Sequence, residues 1–273
     1  MSTLAGPLPP RRRGLLRRIA DSDRPYQILT FVVFAVVWEV YARQWGGLLI
    51  PTFGETVVAT FELLGDPELW QALYVSNQAL VIGFGIAVVV GVPVGIVLGR
   101  FPTLERFSDV YLNILLVTPM AAIIPLLVMS VGFGLISRVI LVTVFSIVMV
   151  IVNSRTGVRS VDPGLIEMAR SFGASERQIW REILLPGALP AIMTGVRLGL
   201  GRAVTGMVIV ELLMVSVALG GLILEYRGLF QAPLLYGTIV IILAEALLLI
   251  SVARWCERKL TPWARTNSAK DPR

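Results

Sequence analysis

Residues able to do chemistry are few in this chain of 273. It has no histidine, which removes histidine-based triads, imidazole metal sites and histidine proton relays together. Its one cysteine, Cys256, can form no intrachain disulfide, and nothing near it in sequence favours a thiolate. No Gly-x-x-x-x-Gly-Lys-Ser/Thr run is present, so the chain encodes no phosphate loop of its own. Two groups remain. Glu211 and Glu245 stand inside long apolar runs, where a carboxylate is costly and marks a functional hypothesis by default. Residues 167–190, EMARSFGASERQIWREILLPGALP, are polar, charged and helical in pattern, and lie between apolar blocks. An intramembrane enzyme would need a serine–base pair, paired aspartates or a histidine, and none is evident.

The charged stretch has its own punctuation. Asp162-Pro163 predicts a helix start, with Asp as cap and Pro at the first helical position. That helix runs to about Phe172, where Gly173 stops it. Ser175 and Gln178 then have the spacing of a capping box, opening a second helix from Glu176 to about Leu185. Pro186 and Pro190 are expected to bend the chain back into the membrane. The result is a helix–turn–helix whose small tip residues, Gly173, Ala174 and Ser175, could enter a groove on another protein. Glu167 and Arg170, three apart, share one side. Glu176, Arg177, Arg181 and Glu182 give the second helix mixed charge, and Ile179, Trp180 and Ile183 give it an apolar side. The plainer reading is an amphipathic inner helix of the kind any polytopic protein can carry.

The elements that must position this stretch cross a membrane. The chain is 56% hydrophobic and 15% charged, with a mean hydropathy of +0.79. Residues 71–99, 110–137 and 139–154 carry no charge. The first two blocks exceed the roughly 17–25 residues a helix needs to cross, which excludes a soluble bundle. The third is short, and Arg138 and Arg155 flank it as snorkelling ends. Six spans are expected, at 26–44, 75–99, 111–131, 138–154, 192–215 and 234–253. With the N-terminus inside, all of the 24 Lys and Arg except Arg43, Arg138 and Arg227 fall on or beside the inner side, as the positive-inside rule requires. The net charge of +6 is therefore topological and does not signal nucleic acid. The run Arg11, Arg12, Arg13, Arg17, Arg18 reads as an anchor on anionic lipid. As a twin-arginine export signal it lacks a small-residue cleavage site.

Three parts follow: a basic cytoplasmic segment at 1–24, a membrane domain at 25–260 containing the inner loop at 160–187, and a cytoplasmic tail at 261–273. Outside, residues 46–74 carry Glu55, Glu62, Asp66 and Glu68 but no Lys or Arg. Thr56–Leu64 has helical spacing and Asp66-Pro67 starts another helix. This segment is either a docking surface for an external partner or a solvated acidic rim. Gly91, Pro93, Gly95 and Gly99 let span two approach a neighbour closely. Pro119 and Pro125 in span three free backbone carbonyls that need neighbours or water. That places Pro119, Met120, Pro125 and Met129 beside a pathway, or else marks a packing kink. Glu211 is a further pathway candidate. Neither it nor Glu245 has an evident charged partner at its depth, which favours a structural role for both. Arg197 and Arg202 are expected to snorkel to the inner headgroups. No segment of 20–50 residues repeats, so an inverted-repeat transporter finds no support.

The inner loop resembles the Glu-Ala-Ala loop of permease subunits of ATP-binding-cassette importers. Glu167, Ala169, Gly173, Ile183, Leu185 and Pro186 match that family's pattern at its spacing, with Met168 in place of the first alanine. The resemblance runs from about residue 50 to 260 and is strongest over 155–205. Residues 157–163 (GVRSVDP), Pro119-Met120-Ala121 and Pro125-Leu126 look like the sulfonate, taurine and nitrate branch, whose relatives also carry vitamin precursors or aromatic acids. That branch has a Gly-Leu-Gly turn after span five, where this chain has Leu219-Gly220-Gly221-Leu222. The resemblance implies an all-α, type I importer-like permease in a bacterial inner membrane, with both termini cytoplasmic. It implies a homodimer of this subunit, two copies of an ATPase chain that binds the ATP, an external solute-binding protein, and no cofactor or metal on this chain. Glu167, Ala169, Arg170, Gly173, Ala174, Ser175 and Arg177 become the candidates for contact with the ATPase. The rival reading is an ion-coupled secondary transporter that uses Glu211 or Glu245 as carrier.

Overall fold

The computed structural model describes residues 24–213 and 218–263, and every regular element among them is a helix. The expectations for the basic N-terminal segment and for the tail beyond Trp263 fall outside the described residues. α1 (Arg24–Tyr41) continues through a π-helical turn, Ala42–Gly46. α2 (Phe53–Leu64) begins at a capping box that the sequence reading missed: Thr52 accepts from Glu55 N, and the Glu55 carboxylate accepts from Thr52 N. α3 (Pro67–Arg100) starts as expected, with Asp66 Oδ1 accepting from Glu68 N at 2.9 Å. α4 (Pro102–Val117), α5 (Met120–Val131), α6 (Leu135–Arg159) and α7 (Pro163–Ser171) follow. α8 runs from Glu176 to Leu213 as one helix, then come α9 (Ala218–Gly228) and α10 (Ala232–Leu260).

α6 is the centre of the packing, with α3 on one side and α8 on the other. Glycines make both contacts close. On α3, Gly83, Gly91, Gly95 and Gly99 abut Val139, Val150, Ile151 and Arg155 of α6 in rising order, so the two helices run parallel. At Gly95 a Cβ would lie 2.5 Å from the Ile151 carbonyl oxygen, so only glycine fits without moving backbone. On α8, Gly195 faces Asn153, Gly199 faces Ser146 and Gly206 faces Phe145, so α8 runs antiparallel to α6.

Two parallel helices need a return path between them, and α4 with α5 supplies it. The sequence reading placed one span at 111–131. The structure breaks it, with α4 and α5 meeting at 95°. Pro119 disfavours the helical region for Thr118 before it, and Thr118 and Pro119 are both extended, with ψ 127° and 92°. The pair still carries the chain from the end where α3 stops to the end where α6 starts, and counts as one crossing. Five continuous helices are long and apolar enough to cross, and the bent pair makes six. The fourth span is also longer than the expected 138–154: α6 has 25 residues and needs no snorkelling.

The helix does not end at Pro186 or Pro190, where the sequence reading expected a bend. A π-helical turn at Ile179–Leu184 shifts the hydrogen-bond register, and Leu185 N donates to Trp180 O. This register change absorbs Pro186, which has no N–H and whose ring would strike the carbonyl four residues back in a regular α-helix. The outer surface is apolar, with Phe31, Phe61, Val81, Val89, Phe107 and Leu248 all exposed. A surface of that kind suits lipid and not water.

Candidate functional site

The helix–turn–helix at 163–178 forms as its punctuation predicts. Asp162 Oδ1 accepts from Gly164 N at 2.8 Å and caps α7. At its other end Ala174 N donates to Ala169 O (3.0 Å) and Gly173 N to Arg170 O (2.9 Å), the paired bonds of a Schellman motif. Gly173 has φ +80°, which a side chain adopts only under strain. The Ser175–Gln178 box is complete, with Ser175 N donating to Gln178 Oε1 at 2.8 Å. Ala169 and Ala174 meet over an apolar cluster built on Val158, Val161, Ile179 and Leu184, which fixes the loop to the helices beneath it.

Ion pairs hold the loop from the side. Glu176 accepts from Arg170 at 2.6 Å and from Arg100, the last residue of α3, at 3.2 Å. So Arg170 turns across the loop tip to Glu176. Glu167 and Arg177 are exposed, and neither has an ion pair or side-chain hydrogen bond among the described residues. The sequence reading overlooked the apolar face beside them. Leu165, Met168 and Phe172 are exposed, Phe172 at 85%, and their i, i+3, i+7 spacing puts them on one stripe of α7. That period was present in the sequence. The Arg100–Glu176 link was not, because 76 residues separate the partners.

Of the second group of candidates, Pro119 and Met120 lie at the elbow between α4 and α5, while Pro125 and Met129 lie farther along α5. Pro119, Pro125 and Met129 are exposed, Met129 at 86%, and Met120 is half-buried. A cavity of about 210 Å³ opens under the elbow, lined by Thr118, Pro119, Met120, Phe145, Met149 and Arg202 among others. Arg202 was expected to snorkel to the inner headgroups. The packing of Gly199 on Ser146 and of Gly206 on Phe145 instead sets it level with the middle of α6. Arg197 lies nearer the loop and holds Glu257 at 3.5 Å.

Glu211 does not line this cavity. It is 2% exposed and lies beside Arg138, which corrects the expectation that it lacks a charged partner at its depth. Ser76 Oγ donates to its Oε2 at 2.8 Å, Gly220 N donates to the same oxygen at 3.2 Å, and Arg138 Nη1 lies 3.8 Å from Oε1. The carboxylate thus joins α3, α6, α8 and the first turn of α9. The residues 219–222, where the resemblance placed a turn, are helical here, and Gly220 packs directly on Glu211. Glu245 accepts from Asn77 Nδ2 at 2.5 Å.

A polytopic helical chain with a capped loop at one end and a broken helix beside a cavity has the build of a transporter's membrane subunit. Its relatives agree. Residues 91–265 match the family of binding-protein-dependent transport system inner membrane components, and the chain belongs to that family. It is a permease subunit of an ATP-binding-cassette importer. It is 32% identical to the aliphatic sulfonates transport permease protein SsuC of Bacillus subtilis over 86% of each chain. It is 34% identical to the taurine transport system permease protein TauC of Escherichia coli, over 85% of this chain and 86% of that one. Its fold matches an inward-facing structure of the MetNI methionine transporter with a TM-score of 0.62 at 22% identity, over 72% of this chain and 99% of that chain.

Proposed function

We propose that this chain forms the translocation pathway for a small anion of the sulfonate, taurine or nitrate kind. An external solute-binding protein delivers the anion, and two ATPase subunits drive its passage. Two copies of the chain form the pathway, in a bacterial inner membrane, with both termini and the 160–187 loop cytoplasmic. Residues 25–260 make the membrane domain, flanked by cytoplasmic segments at 1–24 and 261–273. ATP belongs to the partner, and this chain holds no cofactor.

One observation carries the reading: the loop is built for docking. Its turn is fixed by a Schellman motif and a capping box, while Leu165, Met168 and Phe172 stay exposed beside the unpaired Glu167 and Arg177. Apolar side chains held out on a rigid polar loop are characteristic of a protein interface. Ala169 and Ala174 set the shape of the loop from below, Arg170 pins its tip, and Gly173 with Ser175 makes the turn. The anion rests on the names of the sulfonate and taurine relatives. Pro119 and Met120 at the elbow, with Pro125 and Met129 along α5, lie beside the path. Glu211 clamps helices together and carries no ion, which disfavours the ion-coupled rival.

Co-purification tests the docking. The ATPase encoded with this permease should be retained by the wild-type chain and lost by a Leu165→Ser, Phe172→Ser double variant that still inserts. Retention at wild-type levels would overturn the assignment of the interface. Engineered cysteines tests the topology: a position in 55–62 should label from outside intact cells and position 175 only after permeabilisation. A solute-binding partner that took only neutral or cationic solutes would overturn the anion.

A further inference from the structure

Among the arginines of α6 and the membrane part of α8, Arg202 stands apart. Arg138 faces Glu211, Arg155 holds Asp109 and Glu105, Arg159 holds Glu105 and Arg197 holds Glu257. Arg202 has no ion pair or hydrogen-bond partner among the described residues, and its side chain is exposed. Its depth makes that unusual. The glycine contacts on either side of it place it opposite the centre of α6, about 15 Å from either headgroup layer, beyond the reach of an arginine side chain. An unpaired guanidinium at that depth is not stable against lipid tails, and such a charge faces a watered cavity or a counter-charge. The cavity is there: Arg202 is its one charged lining residue, and Thr118, Pro119 and Met120 form its roof.

We propose that Arg202 is the residue of the pathway that contacts the solute, holding its oxyanion head beneath the Thr118–Pro119 elbow and selecting anions over neutral solutes. The proposal rests on the anion reading above and names the residue that enforces it. The chemistry follows from the lining. A guanidinium presents a planar fork of N–H donors that matches two oxygens of a sulfonate or nitrate at once. Around it stand Leu115, Met120, Phe145, Val148 and Met149, which offer no competing charge and accept a short alkyl tail. The ligand class is a small mono-anion with a compact oxyanion head and at most a short apolar body. Arg202 sits on the same continuous helix that begins at the docking loop, so its position is tied mechanically to the ATPase side.

The experiment uses the whole transporter, with permease, ATPase and binding protein reconstituted in liposomes, and taurine, ethanesulfonate and nitrate as probes. Arg202→Met should insert and bind the ATPase, while uptake falls about 10- to 100-fold, the loss expected for one charge-assisted contact. Arg202→Lys should recover a large part of that uptake. In a Cys256→Ser background, Arg202→Cys should regain uptake after reaction with 2-aminoethyl methanethiosulfonate, which restores a positive charge. It should not after reaction with the sulfonatoethyl reagent. Substrate-loaded binding protein plus ATP should slow the labelling. Wild-type uptake by Arg202→Met overturns the proposal. So does a loss in all three variants that restored charge does not relieve, since that marks a packing role. If the wild type imports none of the three probes, the anion reading itself fails, and Arg202 loses its assigned ligand with it.

Discussion

Replacing Gly173 by alanine, asparagine and valine tests whether the loop works through its shape. The residue sits at φ +80°, and a Cβ built there meets no atom within 4 Å. Any penalty is therefore conformational and not steric within this chain. A non-glycine residue held in the left-handed region costs about 1–2 kcal/mol, less for asparagine and more for a β-branched residue, up to about 3 kcal/mol. The alternative is to let the turn relax. That forfeits the bonds from Gly173 to Arg170 O and from Ala174 to Ala169 O, each worth about 0.5–1.5 kcal/mol. Alanine keeps the turn under strain. Valine makes holding it as costly as losing it, and a penalty of this size lowers the docked conformer about 5- to 30-fold or more. ATP hydrolysis stimulated by the binding protein, measured in reconstituted vesicles, should fall in the order glycine, asparagine, alanine, valine. Asparagine is larger than alanine, so this order separates backbone strain from steric exclusion at the ATPase surface. If alanine matches the wild type while asparagine fails as badly as valine, the tip is limited by size and the strain argument is wrong.

The other predictions concern docking and packing. Glu167→Lys leaves the loop folded, because the exposed Glu167 carboxylate has no partner among the described residues and the bond from Ser171 goes to its backbone carbonyl, but should abolish co-purification of the ATPase; undiminished capture would clear Glu167 of that role. Glu211→Ala removes a buried carboxylate that accepts from Ser76 and strands Arg138, which should cost about 3–5 kcal/mol and lower the detergent-solubilised melting temperature. An unchanged melting curve would mean the clamp is not structural. Gly95→Ala drives a Cβ to 2.5 Å from a backbone oxygen of α6 and should destabilise by about 1–3 kcal/mol. Gly85→Ala, about three turns earlier, where a Cβ meets open space, should be neutral or stabilising by about 0.5–1 kcal/mol. Equal effects at the two sites would contradict the close α3–α6 contact.

Local signals carried the sequence reading a long way. Asp162-Pro163, Gly173 and the Ser175–Gln178 pair act within a few residues of themselves, and each did in the structure what its chemistry requires. The apolar blocks located the membrane helices for the same reason, since burial in lipid depends on composition and not on partners. The errors were non-local or arose from competing rules. Pro186 reads as a breaker until a π turn changes the register before it, and nothing in the sequence announces that turn. Pro119 and Pro125 look alike, yet only Pro119, preceded by an extended Thr118, breaks the chain, while Pro125 stays inside α5. Glu211 seemed unpaired because Arg138 and Ser76 reach it across 73 and 135 positions of sequence. Phe172 is legible in the sequence through its i, i+7 spacing from Leu165, although its position also marks the end of a helix.

The unbroken helix from Glu176 to Leu213 has a mechanical consequence. With 38 residues at about 1.5 Å each it is a strut of about 57 Å, and its foot is the capped turn at Gly173–Ser175. Arg202 stands about 39 Å from that foot, on the same rise per residue. A tilt of about 10° pivoting at the loop would sweep Arg202 sideways by about 7 Å, more than the width of a sulfonate group. A break at Pro186 would have placed a soft joint in the strut. The π turn carries the hydrogen-bonded helix past the proline without interruption, so the end of the protein at Glu176 and its centre at Arg202 belong to one element.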